Sequence, residues 1–116
     1  MSRKVLLDQN LPHKLRTKLL GTGEHQIFTA AYMGWAEFEN GELLLTAEEN
    51  GVDVFVTGDS TMVHEQNLTG RKLAIVVLST NNWPIIKLHV PAILAAINAA
   101  EPGSFQVVEC GRFDRK

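Results

Sequence analysis

Three short runs, Val5-Leu6-Leu7, Val54-Phe55-Val56 and Leu73 to Leu78, are apolar at every position rather than at alternate ones. A strand with one wet face alternates, so a run that is apolar throughout predicts a strand covered on both faces. Segments with helical spacing lie between these runs. Leu11, Leu15 and Leu19 fall at i, i+4 and i+8, with Asn10 as the expected cap, Pro12 in the first turn and Gly21 and Gly23 as the stop. Gln26 to Ala30 reads as a second, weaker strand. Asn40-Gly41-Glu42 opens another helix, capped by Asn40, that turns Leu43, Leu44 and Ala47 inward and closes at Asn50-Gly51. Val52 to Thr57 is the clearest strand, and Gly58 to Thr61 is the turn after it. A last helix spans Pro84 to Ala100, where Pro91 either kinks the helix or marks its true first turn. Phe105 to Glu109 is a terminal edge strand.

Strands that alternate with helices and are apolar on both faces specify an α/β fold: a three-layer α/β/α sandwich around a mainly parallel sheet. Placing the first strand beside the third gives the order 2-1-3-4 plus the edge strand. Right-handed crossovers then put helices on opposite faces either side of the first and third strands. A crevice is expected where the carboxyl ends of those two strands meet. Residues 1–110 form one domain, and 111–116 read as a tail.

Composition supports this and narrows the function. The chain has 116 residues, 45% hydrophobic and 21% charged, enough for a core that buries roughly two-thirds of the unfolded surface. A single cysteine, Cys110, excludes an internal disulfide, and the four histidines lack zinc-ligand spacing. Eleven basic residues against thirteen acidic give a net charge of −2, which argues against holding nucleic acid by a broad basic surface. It leaves nucleic acid open as a substrate, because bound metal ions supply local positive charge. The start of the chain is too short in apolar residues for a signal-peptide core, and Trp83 to Ala100 is too interrupted for a membrane span. A cytoplasmic protein with no membrane contact is the expectation.

Asp8 and Asp59 follow the first and third strands at the expected crevice, about one strand spacing apart, roughly 5 Å between backbones. Two carboxylates that close stay ionised most easily with a cation between them. Oxygen ligands without His or Cys favour Mg²⁺ or Mn²⁺ over Zn²⁺. Glu42, in a first helical turn, is the third candidate; Asp53 is a fourth, at the wrong end of its strand. The plain alternative is that Asp8 and Asp59 cap turns or helices and that Glu42 complements a helix dipole. His13, His25, His64 and His89 read as surface or partly packed residues. Ala92, Ala95, Ala96 and Ala99 form a small-residue face suited to packing on the sheet or on a second copy, so a homodimer is an open possibility.

In order and spacing these residues resemble the PIN (PilT N-terminus) superfamily, and within it a compact PIN-like branch whose first strand ends in D-E-N-L-P. The matching residues are Asp8-Gln9-Asn10-Leu11-Pro12, Asn40-Gly41-Glu42-Leu43-Leu44, Asp53 to Asp59 as D-x-x-V-T-x-D, and Gln66 to Arg71. The resemblance covers about residues 4 to 100. It implies a PIN-like fold and a metal-dependent ribonuclease using Mg²⁺ or Mn²⁺, with Asp8, Glu42 and Asp59 as metal and catalytic residues. Gln9, Asn10, Asp53 and Thr57 would complete the pocket. It also implies an RNA substrate and, as in VapC-like toxins of type II toxin–antitoxin pairs, a cognate antitoxin. Gln9 stands where the branch usually has Glu, removing one negative charge. The usual aromatic soon after the last Asp is absent.

Other functions on similar sheets fit less well. A receiver domain wants an acidic pair after the first strand, a D-x-D phosphatase wants Asp at position 10, and a dinucleotide-binding unit wants glycines where Gln-Asn-Leu-Pro stands. The serious rival is a non-catalytic PIN-like module that binds a protein.

Overall fold

The computed structural model describes residues 3–9, 11–38, 40–58 and 72–109. These form β1 (Lys4–Leu7), α1 (His13–Gly21), β2 (Gln26–Thr29), α2 (Ala30–Met33), α3 (Asn40–Glu49), β3 (Val54–Thr57), β4 (Ala74–Leu78), α4 (Trp83–Ile86), a 3₁₀ turn (Lys87–His89), α5 (Val90–Ala99) and β5 (Phe105–Val108). The five strands make one all-parallel sheet in the order β2-β1-β3-β4-β5. The fold is the expected three-layer α/β/α sandwich.

The runs that are apolar at every position are buried on both faces because strand side chains alternate. Val5, Leu7, Val54, Val56, Ala74, Val76 and Leu78 point to one face and pack against Leu15 and Leu19 of α1, Ile86 of α4, and Ile93 and Ile97 of α5. Leu6, Phe55, Ile75 and Val77 point to the other face and meet Ala30 of α2 and Leu43, Leu44 and Ala47 of α3.

The handedness expectation fails at one crossover. The step from β1 to β2 and the step from β4 to β5 run in opposite directions across the sheet. Yet α1 and α4–α5 lie on the same face. The β4–β5 crossover therefore has the opposite hand to the β1–β2 crossover, where about 98% of such connections share one hand. On the α1 face, Ile86, Ile93 and Ile97 cover Val76, Leu78 and Val108.

The last helix is also not continuous. A helical Pro91 would clash with the carbonyl of residue 87. The chain instead turns through Lys87–His89 and restarts at Val90, with Pro91 in the new first turn. Of the alanine face, only Ala96 is buried; Ala92, Ala95 and Ala99 are exposed. The second strand stops at Thr29, because its hydroxyl accepts the Tyr32 N–H at 3.0 Å and caps α2, a helix that the sequence reading omitted. Position 12, not Asn10, precedes α1, and Pro12 offers no side-chain cap. Asn10 lies outside the described residues.

The amino edge of the sheet is held by polar groups. Asp53 accepts the Lys4 N–H at 2.9 Å and donates its own N–H to the Lys4 carbonyl at 2.8 Å, locking β3 to β1. Buried His25 accepts the Arg3 N–H on Nδ1 at 3.0 Å, so its Nε2 carries the proton it shares with Asn98 Oδ1 at 2.6 Å. That imidazole joins β1 to α5. His25→Ala should lower stability by about 1–3 kcal/mol, because Asn98 and the Arg3 N–H both lose a partner. Urea denaturation would show a lower midpoint with an unchanged slope.

Candidate functional site

The first polar side chain after β1 is Asp8, and four hydrogen bonds fix it at the carboxyl edge. Its N–H donates to the Val56 carbonyl at 2.9 Å, continuing the β1–β3 ladder by one residue, and its carbonyl accepts the Leu11 N–H at 3.1 Å. Oδ1 accepts the Gln9 N–H at 2.7 Å, and Oδ2 accepts the hydroxyl of buried Thr57 at 2.7 Å. A carboxylate offers about four lone-pair sites, so each oxygen keeps one for a ligand. Asp8 is half-buried, and its carboxylate bridges two central strands.

A cleft of about 130 Å³ opens beside it, lined by Asp8, Gln9, Leu11, His13, Thr29 and Ala31. A water occupies about 30 Å³ of liquid, so this space suits a hydrated ion or a phosphate group. It is well below the roughly 300–1,000 Å³ of pockets that enclose a cofactor. The cleft lies between the ends of β1 and β2. The expected β1–β3 crevice borders Asp59 and the residues after it, outside the described residues. At Gly58, after β3, an added Cβ would lie 3.3 Å from both Leu11 Cδ2 and Asn81 Cβ, so the chain packs closely there.

The candidate residues divide into four groups. Asp8, Gln9 and Thr57 come together, the first two in the cleft wall and the third beneath Asp8. Glu42 is exposed in the first turn of α3, which runs back against β3 and so begins at the carboxyl edge. Asp53 is at the amino edge with Lys4 and takes no part in the cleft. Asp59 and Asn10 lie outside the described residues, as do Gln66 to Arg71. Among the described residues, no group of three His, Cys, Asp or Glu side chains is placed to hold a metal ion. The donor set around Asp8 suits a hard cation, since the carboxylate and the Gln9 amide both offer oxygen. His13, Thr29 and Ala31 were missed as lining residues. His13 follows Pro12 at the start of α1, a position that faces the strand ends, and that placement was the available signal.

No family model matches the chain, and no curated protein or solved structure matches it either. Among the described residues, no helix is long and apolar enough to cross a membrane.

Thr57 and Asp8 should be energetically coupled. In a double-mutant cycle with Thr57→Val and Asp8→Ala, urea denaturation should give a coupling of about 1 kcal/mol. Strict additivity would mean that the hydrogen bond adds nothing to the edge.

Proposed function

We propose that the chain is a metal-dependent ribonuclease of the PIN-like type. The observation that carries this reading is the Asp8 carboxylate, positioned by Thr57 and Gln9 on a phosphate-sized cleft at the carboxyl edge of a parallel sheet. The order of motifs through Asp59 supports it. Asp8 and Asp59 would hold Mg²⁺ or Mn²⁺, with Glu42 contributing from α3. When bound, the ion polarises a phosphodiester, lowers the pKa of a water and neutralises charge in the transition state.

The chain's own residues set up that chemistry. Thr57 and the Gln9 N–H hold the Asp8 carboxylate in one orientation, so its free lone pairs point in fixed directions. Gln9 adds a neutral oxygen donor where a relative would bring a second anion. Leu11 closes one wall of the cleft against bulk water. An RNA substrate fits a cytoplasmic location, and in the toxin form of this reading the protein partner is a cognate antitoxin.

A second reading has one observation in its favour. Both Asp8 oxygens already accept internal hydrogen bonds, as expected of a residue that only fastens two strand ends. On that reading the chain is a non-catalytic PIN-like module that binds a protein.

Mn²⁺ titration separates the two. Wild type should bind, and Asp8→Asn/Asp59→Asn should not; equal behaviour of both would favour the binding module. The Thr57 hydroxyl can turn to accept from the new amide, so the fold should survive the change at position 8. Restoring an anion at position 9 should strengthen attraction for a dication. Gln9→Glu should therefore tighten Mn²⁺ binding and raise the RNase rate, with both lost in EDTA, while Gln9→Ala, which loses only a neutral donor, should weaken binding slightly. Calorimetry that shows no gain for Glu over Gln rejects a metal-facing role for residue 9.

A further inference from the structure

His25 sits at the amino edge with both ring nitrogens engaged and only 7% of its surface exposed. A backbone N–H can only donate, so Nδ1, which meets the Arg3 N–H at 3.0 Å, must be an acceptor. Nε2 then carries the ring's one proton and donates it to Asn98 Oδ1 at 2.6 Å. The Asn98 amide is oriented from its other end, because Nδ2 donates to Glu24 Oε1 at 3.5 Å. Every member of this chain of bonds has a fixed role, and the ring fits only in its neutral form. Among the described residues, the charged groups tied into the chain are Arg3 and Glu24; the Arg3 guanidinium donates to the Asn98 carbonyl at 3.2 Å. The Lys4 ammonium is turned to the Asn50 carbonyl and the Phe28 ring. Neither β2 nor α5 carries a titratable side chain. Lys14, Arg16 and Lys18 of α1 make no hydrogen bond to the ring, whose two nitrogens are both taken.

We propose that His25 is a pH-sensitive latch that fastens α5 to the start of β1 only while its ring is neutral. The latch is independent of the ribonuclease reading, which concerns the opposite edge of the sheet. A second proton would enter on Nδ1. It would turn the acceptor of the Arg3 N–H into a second donor, and two N–H groups would face each other across 3.0 Å. Water has little access to so buried a ring and cannot take over the lost bond. Either the Arg3 N–H loses its partner or the ring swings away from Asn98, and the tie between β1 and α5 opens. The next bond along is that from the Gln26 N–H to the Arg3 carbonyl, where β2 joins β1. Imidazole takes up its proton near neutrality, at about pH 6.5 when free. The unfolded chain binds that proton and the latched fold does not. Stability is therefore full above that range and falls as the pH drops through it.

The test is urea unfolding of the whole chain at about pH 7.5 and about pH 5.5, where most carboxylates stay ionised. The wild-type unfolding constant should be about tenfold larger at the lower pH, because the unfolded imidazole gains its proton over that span and the folded ring does not. His25→Gln puts a neutral amide in place of the ring, and its constant should change by less than about twofold. Ring ¹⁵N spectra of the folded wild type should show a proton on Nε2 alone at both pH values. A folded ring that carries two protons at the lower pH overturns the latch, and so does an unchanged wild-type constant. A tenfold rise that persists in His25→Gln also overturns it, because the sensor then lies elsewhere. The ring spectrum needs no variant, so the latch can fail even if His25→Gln does not fold.

Discussion

The burial of β1 on both faces is the constraint from which the rest follows. Val5, Leu6 and Leu7 are all inaccessible to solvent, with a strand hydrogen-bonded on either side. No polar group can emerge along that strand without losing its hydration. The first that does is Asp8, where the ladder ends. Its carboxylate is then drawn to the nearest donors, the Thr57 hydroxyl from β3 and the Gln9 N–H from its own turn. Core and candidate site are thus two consequences of one apolar run. A polar residue inside the run would disturb both.

Opposite edges of the sheet use the same device for different ends. At the amino edge, Asp53 spends its hydrogen bonding on the Lys4 backbone, and His25 joins β1 to α5. Neither lines the cleft. At the carboxyl edge, Asp8 is also hydrogen-bonded internally but keeps open lone pairs beside a cleft. Binding capacity therefore depends on what surrounds a carboxylate, beyond its place at a strand end.

The strands and their order were legible because both-face burial leaves an unambiguous apolar run. Thr57 was legible only as a residue of the same pocket as Asp8, through the motif it shares with the resembled family; its hydrogen bond to Asp8 was not. Two further features were not. The helix α2 is four residues long and depends on one cap from Thr29, too little for a periodic signal. The hand of the β4–β5 crossover is a property of the assembled layers rather than of residues 79 to 104.

The central claim is that the edge carboxylate of β1 serves a cation as well as the fold. A crystal of the protein soaked in Mn²⁺ and measured at the manganese absorption edge tests it most directly. The account predicts an anomalous peak within bonding distance of an Asp8 carboxylate oxygen, shared with Asp59, while Thr57 keeps its hydrogen bond to Asp8. An ordered Asp8 bonded only to Thr57 and Gln9, with the Asp59 carboxylate more than about 10 Å away and no manganese between them, would contradict it.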